Sequence, residues 1–264
     1  MSLRVVVLTG SRRGTASHHL PLLVGSPHFQ CVQVILVDGT APEPKGHWGR
    51  KLRKILHIGP LGALVGYRMR KWYTSDVEKL AAIEDLGELC ASLSIPFATT
   101  PAVNHSRTVE LMRDAKADIG ISLGNGYIGS KVFTAPRLGM LNIHHELLPE
   151  FQNAQGVIWQ LYAGSDTTGY TIHRIDKHID TGAIVHQERV PISFQPTLAG
   201  TVSHTMVALL DRSAIGLRQV LEDLEAKLAA AAPQGKGRTW TTPSFGQFLR
   251  IRSNYERLRD KVRE

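Results

Sequence analysis

The chain has 264 residues, 42% of them hydrophobic and 20% charged, with a formal net charge of +8. That is an ordinary globular balance, and the length suits one large domain or two small ones. The two cysteines, Cys31 and Cys90, lie far apart without CxxC spacing, which excludes a disulfide framework or a zinc site and points to reduced core residues in a cytoplasmic protein.

The first element is "LRVVVLTG", a short apolar run stopped by Gly10 and read as a buried parallel strand. The N-terminal stretch that contains it, "MSLRVVVLTG", lacks the long apolar region and cleavage site of a signal peptide. A glycine-containing turn follows, Gly10-Ser11-Arg12-Arg13-Gly14. Gly10 and Gly14 let backbone approach an anion and the two arginines add charge, though the pattern is neither GxGxxG nor a GxxxxGK[ST] loop and equally suits a surface turn. "CVQVILVDG" repeats the strand pattern.

Between Lys45 and Lys71 lie eight Lys or Arg and no Asp or Glu, so this segment carries the whole net excess. Such a stretch attracts phosphates, nucleic acid or an anionic membrane surface, and it also suits a solvated helix face. Its most apolar window, "IGPLGALVGY", is about half the length of a membrane span.

"TSDVEKLAAIEDLGELCASL" reads as one amphipathic helix capped at Ser75 or Asp76, and "HSRTVELMRDAKA" as another. "ADIGISLGNG" and "GMLNIH" are further strands, the first ending on Gly124-Asn125-Gly126-Tyr127. Strands alternating with helices imply βαβ units and a mostly parallel sheet, an α/β fold. "TGYTIHRID" and "GAIVHQERVPI" alternate more strictly and suit an antiparallel part. A long helical stretch from Thr197, a Gly- and Pro-containing loop and a basic helix complete the chain.

In open α/β sheets ligands bind beyond the carboxyl ends of the strands, where the three polar clusters fall. In "NIHHELLPEF" the strand period puts Asn142 and His144 on one face and Ile143 on the other. Histidine serves as acid, base or electrophile near neutral pH, and an asparagine amide can donate to a developing oxyanion. His144, His145 and Glu146 are consecutive, which does not fit metal-ligand spacing on one face, so no metal is expected. "HRIDKHIDTGAIV" adds Asp176 and Asp180, the latter on a sharp Asp-Thr-Gly turn. An Asn, a His and an Asp at one sheet edge make a proton-transfer constellation.

Asn142-Ile143-His144, Leu147-Leu148-Pro149, Trp159, Ala163-Gly164, Thr168-Gly169, Thr171-Ile172-His173-Arg174 and Ile179-Asp180-Thr181-Gly182 follow one another in this order. The series resembles the formyltransferases that use 10-formyltetrahydrofolate, among them the glycinamide ribonucleotide, methionyl-tRNA and sugar N-formyltransferases. The resemblance is strong over residues 117–192. It implies a Rossmann-like formyltransferase fold, mostly parallel and twisted, with helices on both faces and an antiparallel part. It implies a catalytic trio of Asn142, His144 and Asp180. It implies a pterin cradle from Gly124, Asn125, Gly126, Tyr127 and Ile128 and from Asp176, His178 and Ile179. Arg12, Arg13 and Gly14 fall where the glycinamide ribonucleotide enzyme has a phosphate-binding turn. The chain departs from the family at Glu146, usually Ser, at Gln152-Asn153, often Arg-Gly, and at Gly156, often Pro. These positions lie beside the implied acceptor site, which makes Glu146, Gln152 and Asn153 candidate acceptor contacts.

The implied organisation is a formyltransferase domain over residues 1–225, with a basic insertion at about 41–73, and a helical and loop extension over 226–264. The implied co-substrate is 10-formyltetrahydrofolate. The implied reaction is formyl transfer to a small-molecule amine, foremost a nucleotide-linked amino sugar or a phosphorylated amine. Hydrolysis of the formyl donor, the glycinamide ribonucleotide and methionyl-tRNA reactions, and folate binding without catalysis are the alternatives. Nucleic acid is disfavoured as a partner because a β-barrel tRNA domain of about 100 residues has no counterpart after Ile192. A membrane surface at residues 45–71 and a second copy of the chain stay open as partners.

Overall fold

The apolar runs assemble into one seven-stranded sheet: β1 Leu3–Thr9, β2 Phe29–Val37, β3 Phe97–Thr100, β4 Ile119–Leu123, β5 Met140–His144, β6 Thr167–Arg174 and β7 Ile184–Pro191. The computed structural model describes residues 2–39 and 47–263, with side chains over 2–39 and 58–262. Strand order is β3-β2-β1-β4-β5-β6-β7. The first five strands pair in parallel, and β5 with β6 and β6 with β7 antiparallel. The expected Rossmann-like α/β sheet with an antiparallel part is thus present.

Ten helices accompany the sheet among the described residues: α1 Thr15–His19, α2 His47–Tyr73, α3 Ser75–Leu80, α4 Leu86–Ser92, α5 Ser106–Asp114, α6 Ser130–Phe133, α7 Ile158–Ala163, α8 Leu198–Glu222, α9 Leu224–Ala229 and α10 Phe245–Arg263. They cover both faces. Val5 and Val7 of β1 join a core with Leu86, Leu209, Leu217 and Ile251, while Val6 and Leu8 join Leu111, Met112 and Val132. Alternation along a fully buried strand feeds both cores, which is why these strands are apolar throughout.

Three sequence expectations shift. The helix expected over 74–93 is two: Ala82 takes a left-handed φ of 47°, and Asp85 caps α4 by accepting from the amides of Gly87 and Glu88. The long helix from Thr197 breaks at Asp223, between α8 and α9. Strand β3 is an addition; four residues of mixed burial after a proline give too little alternation to read. In the basic segment, residues 40–46 and the side chains of Arg50, Lys51, Arg53 and Lys54 lie outside the described residues. Helix α2 kinks at Gly59, where φ is 75°, and beyond the kink Arg68, Arg70 and Lys71 are exposed. No helix among the described residues is long and apolar enough to cross a membrane.

The C-terminal extension continues the same core. Trp240, Ile251, Tyr255 and Leu258 pack in one cluster with sheet residues. Residues 149–153 and 237–240 run beside each other as a ribbon: Arg238 N donates to the Pro149 carbonyl at 3.2 Å, Gln152 N to the Arg238 carbonyl at 3.0 Å and Trp240 N to the Gln152 carbonyl at 2.9 Å.

Candidate active site

At the carboxyl ends of β4 and β5 lies a cleft of about 460 Å³. Asn142, His144 and Asp180 all line it, together with Gly124, Asn125, Gly126, Tyr127, Ile128, Asp176, His178, Ile179 and Asn153. The structure therefore brings the expected trio and the expected cradle to one place. Leu141 and Ile143 face one core and Met140 the other, which turns Asn142 and His144 the same way.

The hydrogen bonds fix proton positions. His144 Nε2 lies 2.8 Å from the Phe151 carbonyl, which can only accept, so Nε2 carries a proton. Its Nδ1 faces Asp180 Oδ2 at 3.8 Å. His173 Nδ1 donates to the Arg174 carbonyl at 2.9 Å, which leaves Nε2 to accept from Asn142 Nδ2 at 3.2 Å. Burial lowers the His173 pKa below its ordinary value, against the pull of the Asp180 carboxylate 3.6 Å away. A neutral His173 orients the Asn142 amide and leaves its second N–H for the cleft.

Asp180 sits in the left-handed region at φ 56°. Its Oδ2 accepts from Asn153 N at 3.0 Å, and its backbone carbonyl accepts from Gln152 Nε2 at 3.3 Å. Gly182 completes the turn because a Cβ there would strike the Arg174 backbone carbonyl. Asp176 closes the same loop, accepting from His178 N at 2.9 Å and from Thr181 Oγ1 at 2.8 Å. The opposite cradle is pinned by Asn125, whose amide nitrogen donates to the Leu8 carbonyl at 2.7 Å and to Ser122 Oγ at 3.1 Å. Gly124 makes that turn at φ 73°.

Several expected contacts fall elsewhere. Glu146 is 1% exposed and outside the cleft lining; its carboxylate accepts from Gln160 Nε2, and burial holds its pKa well above the usual carboxylate range. It is a core residue bracing the turn at Val157, because β5 ends at His144 and the turn that follows carries Glu146 inward, off the face of Asn142 and His144. Arg12 and Arg13 do not line the cleft either. Arg12 pairs with Asp38 at 3.0 Å and Asp85 at 3.8 Å, and Arg13 with Glu78 at 3.4 Å, so local carboxylates already neutralise them. Gly14 precedes α1 with an extended φ of 178°. Gln152 lies in a shallow recess beside the cleft with Tyr127, Lys177 and Thr239.

Sequence reading gave no role to His173 or Asn104 and took His145 as a support or acceptor contact. His173 is set opposite Asn142 by the β5–β6 register, and its signal was the alternation of "YTIHRID". His145 lines the cleft and meets Ser213 Oγ at 3.2 Å, and burial lowers its pKa to about 4. Asn104 pins the cradle, donating to the Tyr127 carbonyl at 3.0 Å and accepting from Gly129 N at 2.6 Å; nothing in the sequence marked it.

Residues 78–208, which contain this whole constellation, match the formyl transferase family model. These residues place the chain in the formyl transferase family. A methionyl-tRNA formyltransferase of Deinococcus radiodurans is 36% identical over 128 residues, 47% of this chain and 40% of that protein. One from Kosmotoga olearia is 29% identical over 180 residues, 67% of this chain and 57% of that protein. The chain thus spans less than two thirds of the length of these formyltransferase relatives. Glycinamide ribonucleotide transformylase 1 from Symbiobacterium toebii superposes with a TM-score of 0.57 at 16% identity, over 89% of this chain and 92% of that one, a likeness of fold.

Proposed function

We propose that this formyl transferase catalyses transfer of a formyl group from 10-formyltetrahydrofolate to the amine of a small acceptor, with Asn142, His144 and Asp180 as catalytic residues. The observation that carries the reading is geometric: the Asn142 amide and the His144 ring, its Nε2 tied to the Phe151 carbonyl, face one cleft, with the Asp180 carboxylate 3.8 Å from His144 Nδ1.

The cleft's chemistry fits a pterin-bearing donor. Asn125 Oδ1 is buried there without a partner and can accept from a ring N–H or amino group. Tyr127 and Ile179 are 52% and 53% exposed on the two facing loops, where a flat heteroaromatic would cover both. Formyltetrahydrofolate supplies an activated formyl carbon. Asn142 donates its free amide proton to the formyl oxygen as negative charge builds there, a contribution of about 10²–10³ in rate. His144 takes a proton from the attacking amine at Nδ1, and Asp180 stabilises the resulting imidazolium. His144 then returns that proton to the departing folate nitrogen as the old C–N bond breaks, so one formamide and one tetrahydrofolate form without net proton change. Because its Nε2 proton is held by the Phe151 carbonyl, His144 would donate to the oxyanion only once protonated at Nδ1.

The acceptor is read as a nucleotide-linked amino sugar or a phosphorylated amine. The neutralised Arg12 and Arg13 move any phosphate contact away from the first turn. The methionyl-tRNA and glycinamide ribonucleotide acceptors named for the relatives are competing candidates. The test is incubation with 10-formyltetrahydrofolate and a panel of amino sugars, their nucleotide conjugates, glycinamide ribonucleotide and methionyl-tRNA. A mass gain of one formyl group with stoichiometric tetrahydrofolate supports transfer and names the acceptor. Formate release without acceptor shows hydrolysis instead, and tight folate binding with no turnover on any arm overturns both.

A further inference from the structure

On the far side of the 149–153/237–240 ribbon lies a second recess of about 660 Å³, floored by Tyr162 and Trp240 and ringed by Lys236, Arg238 and Arg250. The ribbon alternates, as a strand does. Gln152 and Thr239 face the recess adjoining the catalytic cleft, while Phe151, Arg238 and Trp240 face this one. The two sites share a wall and no lining residue.

The cations here are arranged unlike the ion-paired arginines elsewhere on this surface. Arg12, Arg13, Arg107, Arg137, Arg212 and Arg252 each have a carboxylate within 4.0 Å. Among the described residues no carboxylate pairs with Lys236, Arg238 or Arg250. Two of them instead lie over rings: Arg238 Cζ is 3.9 Å from the Trp240 ring centroid, and Arg250 Cζ 4.5 Å from the Tyr162 centroid. Ring stacking uses the guanidinium face and leaves its in-plane N–H fork free for an oxyanion. Glu150 on the rim offsets one of the three positive charges and leaves an excess.

We propose that this recess is a binding site for a phosphate-bearing small molecule of the nucleotide class, separate from the catalytic cleft. Arg238 and Arg250, pre-oriented by Trp240 and Tyr162, grip phosphate oxygens in bidentate fashion, and Lys236 adds a point charge. The exposed guanidinium faces give a base a flat surface to stack on. This site does not depend on the reaction assigned to the cleft.

The test is isothermal titration of the whole chain with ADP, pyrophosphate and adenosine at low salt. Saturable ADP binding with Kd below about 1 mM is expected, tighter than pyrophosphate or adenosine alone. Arg238→Gln with Arg250→Gln weakens ADP binding at least tenfold, and Arg12→Gln leaves it unchanged. Both targeted arginines are exposed, so circular dichroism should show an intact fold, and Lys236→Gln gives an independent, smaller weakening. Binding of a folate analogue to the cleft, measured in parallel, stays at the wild-type value in all these variants. Absence of saturable ADP binding by wild type, or a double variant that binds ADP as wild type does, overturns the proposal. Loss of ADP binding on Arg12→Gln alone overturns it too.

Discussion

His144 donates its Nε2 proton to the Phe151 carbonyl at 2.8 Å, and that single bond decides which of its nitrogens can do chemistry. In the neutral ring Nδ1 then keeps its lone pair, 3.8 Å from Asp180 Oδ2. His144→Gln can keep a donor toward Phe151 but removes the Nδ1 base. The expected result is a near-wild-type melting temperature with kcat reduced about 10²–10⁴-fold. A variant that turns over at the wild-type rate would show that the amine proton leaves by another path.

Asn142→Asp exchanges an amide for a carboxylate in the same volume. The new group cannot donate to the formyl oxygen and repels its charge, so kcat falls about 10²–10³-fold. The substitution also places a carboxylate where the amide now meets His173 Nε2 at 3.2 Å, beside Asp180. His173 should then bind a proton at higher pH than in the wild type. NMR titration of the His173 ring checks this, and an unmoved titration would break the link between the two residues.

Stability should fall on acidification. Burial lowers the pKa of His19 and His173, and takes that of His145 down to about 4, whereas in the unfolded chain each titrates near 6.5. Between the folded and unfolded values the unfolded state holds more protons, so unfolding free energy decreases as pH drops through that window. For His145 the window runs from about 6.5 to about 4. His19 is fully buried and shares Ser213 Oγ with His145, at 3.0 Å and 3.2 Å, with His18 the nearest other titratable ring. In thermal melts this histidine contribution should be flat above pH 7 and drop steeply below 6.5. His145→Gln should flatten the slope; an unchanged slope would remove His145 from the account.

The sheet and the shared face of Asn142 and His144 were legible because both rest on local pattern. Apolar runs ending on glycine mark β1 and β4, and the strand period alone puts Asn142 and His144 on one face. What was not legible is what non-local register decides. The role of His173 depends on its position opposite Asn142 across an antiparallel pair. The burial of Glu146 depends on a turn that carries it under Val157, not on its neighbours in sequence. Arg12 looked available because its partners Asp38 and Asp85 arrive from distant segments.

Glu146 offers the opposite pH sign. Its folded pKa is raised by burial, so above the unfolded carboxylate value of about 4.3 the folded state holds the extra proton, and stability declines as pH rises. Glu146→Gln keeps an acceptor for Gln160 Nε2 and removes the ionisation. The variant should equal or exceed wild-type stability at pH 8 and lose the alkaline decline, with catalysis little changed because Glu146 does not line the cleft. A large loss of turnover with an intact fold would return Glu146 to the acceptor site.

Trp240 ties the C-terminal residues to the wall of the cleft. Its ring lies 4.4 Å from Trp159 and 6.0 Å from Phe151 between centroids, and its Nε1 donates to the Glu150 carbonyl at 2.9 Å. Asn153 Nδ2 donates to the Trp240 carbonyl at 3.2 Å, and Asn153 N holds Asp180. Trp240→Ala opens a cavity under residues 150–153 and should cost about 3–5 kcal/mol. At about 2–4 °C per kcal/mol for a chain of this size, the melting temperature drops by roughly 6–20 °C. The same cavity loosens the Phe151 carbonyl and the Asn153 amide, the anchors of His144 and Asp180. Turnover measured well below the new melting temperature should therefore fall as well, chiefly in kcat. Trp240→Phe retains a ring and loses only the indole bond, so it should recover most of both losses. A Trp240→Ala protein that is destabilised yet fully active below its melting point would confine this residue to the core.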